Sequence, residues 1–177
     1  YQGRGQRLQR EAVVWLAARG QLTAVVMEMA ERGHSTQGLP RDASEACLGL
    51  LFMYRATREP EYLRRAADYE RWWQRTVKKP NGWPHNFIFF DGRKHDTSER
   101  SFQAGSAPIF YYLWKATGAA RYRRELLRMA DGTLVRFLRA DGAITSIVDK
   151  HHATASGEVL NDDGLMGALL CAYHASQ

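Results

Sequence analysis

The sequence predicts an all-α fold of repeated inner and outer helical hairpins, with short β excursions in the loops that lead from each outer helix to the next inner one. Three observations predict it. An aromatic, a basic residue, Ala and a hydroxyl residue recur as YRAT (54–57), WKAT (114–117) and YHAS (173–176). The turn sequence NGW at 81–83 returns 60 positions later as DGA at 141–143. Between these marks, runs that are apolar nearly all round alternate with runs carrying one apolar stripe. That is the pattern of a helix enclosed on every side, followed by a helix that covers it from outside.

The elements follow in order. WLAARGQLTAVV (15–26) matches FLRADGAITSIV (137–148) at a constant offset of 122, so residues 5–19 read as the outer helix of a preceding unit, with Val13, Val14, Leu16 and Ala17 on its apolar face. The first inner helix is ASEACLGLLFMYRAT (43–57), and REP with Pro60 ends it. Its outer helix, 61–78, sets Tyr62, Leu63, Ala66, Ala67, Trp73 and Val77 against Arg64, Arg65, Asp68, Arg71 and Arg75. The β-like run WPHNFIFF (83–90) leads on to the second inner helix, 103–117, which Gly118 closes. Residues 120–139 form the second outer helix, AITSIVD (143–149) the next β-like run, and DGLMGALLCAYHAS (163–176) the third inner helix. The whole chain, 1–177, reads as one repeat domain with units near 42–100, 101–160 and 161–177, starting and stopping in mid-unit. Leu48, Leu51, Phe52, Ile109, Leu113, Leu169 and Leu170 are expected to be buried, and Arg64, Arg71, Arg124 and Arg128 exposed.

At 177 residues and 45% hydrophobic content, the chain is long enough for one buried core. No apolar run approaches the roughly 20 residues of a membrane helix, so no membrane partner is expected and the chain reads as soluble. Tyr1 to Gly5 lacks a signal pattern and reads as a trimmed end; the compartment stays open, with the cytoplasm slightly favoured. Cys47 and Cys171 sit in apolar helical runs at non-equivalent repeat positions, as buried reduced thiols do.

A net charge of +6 invites a polyanion partner, but the connections do not carry it. Residues 20–41 and 81–100 each sum to zero, and 141–160 sum to −2. The excess lies in the outer helices, on a solvated Arg face, so no nucleic-acid partner is expected.

Alternating inner and outer helices at a period of about 60 residues, with a β excursion before each inner helix, resemble the α/α toroid along essentially the whole chain. An open solenoid is the rival, but its units are shorter, roughly 33–47 residues. Glycoside hydrolases, polysaccharide lyases and sugar epimerases of the N-acylglucosamine 2-epimerase type share the toroid. A full ring would need about twice this length, so the resemblance implies either a missing half of the ring or a second copy as partner. It also implies a cavity at the face where inner helices begin.

The candidate residues cluster in those starts. Asp42 precedes the first inner helix, Glu99 leads into the second, and Asp162 and Asp163 open the third. Each suits a helix N-cap, yet only one of an adjacent pair can cap, which leaves a spare carboxylate. NDDGLM also resembles the Asp-Asp-hydrophobic-Met opening of unsaturated glucuronyl and rhamnogalacturonyl hydrolases, through Asp162, Asp163 and Met166, with Gly164 intervening. The connection NGWPHNFIFFDGRKHDTSER sets aromatic residues beside carboxylates and imidazoles, which suits sugars with apolar faces and hydroxyl edges. Trp83, His85, Asp91 and Arg93 are its substrate-binding candidates, although packing explains Phe87 and Phe89 and serves Trp83 equally well. His95 and His151 are candidate proton carriers. The adjacent pair His151 and His152 diverges, so no metal is expected, and no cofactor motif is present. The leading expectation is a glycoside hydrolase acting on a carbohydrate substrate through two carboxylates. The alternatives are a sugar epimerase or lyase, and a noncatalytic helical binding module.

Overall fold

A computed structural model describes residues 37–177 apart from 39, 90–92, 96–97, 150–154 and 160–162. The outer helix expected at 5–19 lies outside the described residues. The described residues hold five α-helices: α1 (Pro40–Thr57), α2 (Pro60–Trp72), α3 (Ala107–Thr117), α4 (Ala120–Phe137) and α5 (Asp163–Ser176). A π-helical turn, Trp73–Val77, extends α2, and a 3-10 segment, Ser101–Ser106, leads into α3. Helix α2 packs on α1 and α4 on α3, while α1 and α5 both pack on α3 and on the 3-10 segment. Thus α1, α3 and α5 are the inner helices, and α2 and α4 the outer ones.

The core is the seam between the two layers. Leu51, Ile109, Phe110 and Leu113 from the inner helices meet Trp73, Val77, Leu126, Met129 and Phe137 from the outer ones, all buried. Trp73 stands edge-on to Phe110 with ring centroids 5.0 Å apart. Phe52 and Leu170 depart from expectation, being 46% and 58% exposed, and Leu48 and Leu169 are half-buried against the core. An inner helix is covered only where a neighbour lies against it; among the described residues Phe52 stands edge-on to Tyr112, with ring centroids 5.2 Å apart. Arg64, Arg71 and Arg124 are exposed, whereas Arg128 is half-buried because its guanidinium bonds the carboxylate of Glu125.

Two of the recurrent phrases, YRAT and WKAT, share an atomic cause. Thr57 and Thr117 each donate a hydroxyl to the carbonyl four residues back, Met53 and Leu113, at 2.9 and 2.7 Å. Each then accepts the N–H two residues ahead, from Glu59 and Ala119, at 3.2 Å. Between them the chain turns through a left-handed residue, Arg58 (φ 63°) in one hairpin and Gly118 (φ 71°) in the other. The N–H of that residue closes onto the carbonyl of Tyr54 or Trp114, an αL helix end. Glycine reaches this conformation freely and arginine at a cost of about 1 kcal/mol.

The NGW and DGA turns also share one frame. Asn81 Oδ1 and Asp141 Oδ1 each accept the N–H two residues on, both at 3.0 Å, and Gly82 and Gly142 supply the positive φ (84° and 82°). Short strands tie successive connections together. Strands β1 (Gln37–Gly38), β2 (Phe87–Phe89) and β3 (Lys94–His95) form one antiparallel sheet, with Gln37 opposite Phe89 and Phe87 opposite His95. Strands β4 (Ser98–Arg100), β5 (Thr145–Asp149) and β6 (Ala155–Val159) form another, with Glu99 opposite Val148. Among the described residues, no helix is long and apolar enough to cross a membrane.

Candidate functional site

Each outer helix packs back along the inner helix before it, so α1, α3 and α5 point the same way and begin on the face where the connections lie. Asp42 falls in the first turn of α1, Asp163 opens α5, and Glu99 is the central residue of β4. The 3-10 segment that follows β4 packs against both α1 and α5, so the three acidic residues sit on elements that converge. His95 ends β3. Asp91, His151 and Asp162 lie outside the described residues.

Both carboxylate oxygens of Glu99 have partners among the described residues. Its Oε1 accepts from Asn81 Nδ2 at 2.8 Å and pairs with Lys79 Nζ at 3.1 Å, while Oε2 accepts from Arg136 Nε at 2.8 Å. Burial opposes its charge, but the hydrogen bonds from Asn81 and Lys79, with the charges of Lys79 and Arg136, outweigh burial and hold its pKa below the usual value. With both oxygens engaged, Glu99 anchors three separate parts of the chain: the 79–81 turn, β4 and the end of α4.

Trp83 faces the core and not the solvent. It is completely buried, its ring lies 5.3 Å from that of Phe137, and Arg136 stacks 5.2 Å above it. Its indole N–H donates to Gln103 Oε1 at 2.7 Å, and Gln103 Nε2 donates to Asn86 Oδ1 at 2.6 Å. Asn86 and Gln103 are both buried, and they knit the connection to the entry of α3. A second buried link joins two inner-helix starts through the hydroxyls of Ser44 and Ser106, 2.7 Å apart, with Tyr69 2.9 Å from Ser44. Sequence reasoning passed over these groups, whose one signal was the amides within NGWPHN and SFQ.

His85 is half-buried and Arg93 exposed. His85 lines a cleft of about 520 Å³ together with Gln74, Lys78, Lys79, Pro80 and Lys94. Two of its ammonium groups are committed, Lys79 to Glu99 and Lys78 to Glu125 at 2.8 Å. A second cleft, about 500 Å³, is lined by outer-helix residues: Glu70, Gln74, Arg121, Arg124, Glu125 and Arg128. Among the described residues, no three His, Cys, Asp or Glu side chains group as a metal site. Cys47 is buried and Cys171 half-buried, both free, and burial raises the pKa of each.

No family model matches the chain, and no curated protein matches it in sequence. Solved structures do share its fold. It is similar to the α-mannanase of glycoside hydrolase family 76 from Bacteroides thetaiotaomicron, with a TM-score of 0.67 at 13% identity over 96% of this chain and 54% of that one. A cellobiose 2-epimerase from Bacillus thermoamylovorans gives a TM-score of 0.63 at 14% identity, over 79% of this chain and 38% of that one. An α-1,6-mannanase of Salegentibacter gives 0.56 at 17% identity, over 77% and 50%. That mannanase was solved with α-1,6-mannotetrose as an inactive variant in which two consecutive aspartates are replaced by alanine. The fold is therefore that of the α/α toroid, and the chain spans 38–54% of the length of these proteins.

Proposed function

We propose that this chain belongs to a carbohydrate-active toroid, most simply a glycoside hydrolase, whose acid–base groups come from the starts of its inner helices. The observation that carries the proposal is the consecutive pair Asp162 and Asp163 at the opening of an inner helix, α5, in a fold shared with a mannanase silenced at two consecutive aspartates. In this reading one carboxylate protonates the leaving oxygen of a sugar bond and the other serves as base or nucleophile. Asp42, in the first turn of α1, is a further candidate carboxylate, and His95 or His151 assists proton movement. Glu99 is left out of the reacting pair, because both of its oxygens are held by cations or an amide. The role that fits its contacts is to keep the rim in place.

A sugar epimerase is the second reading, favoured by the likeness to cellobiose 2-epimerase. It would rest on a histidine base abstracting a proton next to a carbonyl. One experiment separates the two. The chain, alone and as part of any longer polypeptide that contains it, is incubated with α-1,6-linked mannooligosaccharides and with reducing disaccharides. New reducing ends that vanish in the Asp162→Ala/Asp163→Ala variant are the expected result. Epimerised product with no new reducing ends would replace the first reading by the second. Neither product, together with no binding of any sugar by calorimetry, would sink both.

A further inference from the structure

The outer layer holds a carboxylate that is buried yet not paired. Glu70 of α2 is only 6% exposed, and among the described residues its carboxylate has no hydrogen-bond or ion-pair partner. The other buried acid of this layer, Glu125 of α4, shows what such a group ordinarily requires, because Arg128 and Lys78 both hold it. Arg121, the cation that feels the charge of Glu70, gives its hydrogen bond to the phenol of Tyr122 at 2.7 Å instead. A carboxylate drawn out of water without a donor is costly to keep.

Glu70 lines the cleft of about 500 Å³ between α2 and α4, a volume within the roughly 300–1,000 Å³ of small-molecule sites. Arg121 and Arg124 line it too. Arg124 is exposed and, among the described residues, has no carboxylate partner either. With Glu125 already matched by Arg128 and Lys78, the charges left over in the cleft are one carboxylate, Glu70, against two guanidinium groups, Arg121 and Arg124. The surplus is positive. A complementary ligand brings an anion for the arginines and a hydrogen-bond donor for Glu70. An ammonium donor would make that ligand a zwitterion and leave the surplus standing, whereas a hydroxyl donor lets the ligand stay negative and cancel it.

We propose that this cleft binds a small polyhydroxylated anion, a sugar acid or a sugar phosphate, with its anionic group on Arg121 and Arg124 and a hydroxyl donating to Glu70. Guanidinium forks suit carboxylate and phosphate oxygens alike, so the arginines accept either anion. The cleft is lined by outer-helix residues and by Gln74 of the π-helical turn, apart from the starts of the inner helices. It can therefore fail without touching the catalytic reading, and the reverse also holds.

Calorimetric titration of the 177-residue chain with gluconate and with glucose 6-phosphate tests it. At least one of the two is expected to bind, the tighter one telling carboxylate from phosphate, with glucose and hexanoate each at least tenfold weaker for want of the charge or of the hydroxyls. Glu70→Leu should weaken binding at least tenfold while raising the melting temperature, since it removes a buried charge that the fold leaves unpaired. Arg124→Ala, at an exposed site, should weaken binding tenfold and leave the melting temperature where it was. Failure of both anions to bind overturns the proposal, as does hexanoate binding as well as gluconate, which would make the arginines a nonselective anion patch. Binding that survives both variants places the site elsewhere and overturns it too. So does a lower melting temperature in Glu70→Leu, which would show that the fold itself uses the carboxylate.

Discussion

The turn at 78–84 and the turn at 138–144 have the same backbone and opposite fates. In both, an antiparallel bridge closes the turn (Lys78 to Pro84, Leu138 to Ile144), the N–H at the third turn residue bonds the Asx side chain, and a glycine takes the left-handed position. The first nevertheless sinks Trp83 into the core, between Phe137, Arg136 and Gln103, and binds its asparagine to Glu99. The second leaves Asp141 and Gly142 in solvent and Ala143 half-buried. The comparison separates two jobs that a repeat performs. Backbone hydrogen bonds set where the chain reverses, and one side chain decides whether the connection becomes part of the wall.

The largest expected effect tests that division directly. Trp83→Ala removes the side chain that fixes the first turn and should cost about 3–5 kcal/mol in urea unfolding, whereas Ala143→Gly should cost less than about 1 kcal/mol. Equal losses would mean that the turn frame, not the side chain, carries the stability.

Glu99→Gln should cost less, about 2 kcal/mol, between the values for exposed and fully buried pairs, because it leaves Lys79 and Arg136 without their shared carboxylate. A pH titration sharpens this. Glu99 has a folded pKa below the unfolded value near 4.5, so its stabilisation is complete above pH 4.5 and is lost as pH falls through the folded pKa. Glu125 behaves alike: burial raises its pKa, but hydrogen bonds from Arg128 and Lys78 and their charges outweigh that. Below pH 4.5 the wild type should therefore lose stability more steeply than Glu99→Gln, and parallel curves would remove Glu99 from the account.

Gly82→Ala and Gly142→Ala should show the smallest difference. Each forces alanine into a left-handed backbone at a cost of about 1–2 kcal/mol; the atoms nearest the Cβ at position 82 belong to the guanidinium end of Arg128, and if that end shifts, Glu125 keeps Lys78 as its partner. Penalties that differ by more than about 1 kcal/mol in thermal unfolding would show that the two frames are not equivalent.

The hairpins were legible because their signals are local. Thr57 and Thr117 bond within four residues of themselves, and the glycines of both Asx turns announce the reversal. What escaped depends on distant neighbours. Phe52 and Leu170 have the composition of core residues, and no nearby residue reveals which side of a helix lacks a partner. Glu99 read as a free acid because its cations come from Lys79, 20 residues before it, and Arg136, 37 residues after it. Trp83 suited a sugar platform and a core equally, until Gln103 and Asn86 gave its indole an interior partner.

The asparagine of the first turn also sets a chemical clock. Asn81 precedes Gly82, the pairing most open to succinimide formation, in which the glycine nitrogen attacks the asparagine carbonyl carbon and ammonia leaves. Here that nitrogen is already donating to the carbonyl of Lys79 at 2.8 Å, and the amide is tied at both ends, so the folded turn resists the geometry of attack. Should the turn open and deamidate, position 81 would gain the residue type that its sister turn already has at Asp141. At 141 an aspartate is harmless, whereas at 81 it would replace a donor 2.8 Å from the Glu99 carboxylate with a second negative charge. Ageing of the protein would thus begin at the rim, as a one-atom exchange that turns a clamp into a repulsion.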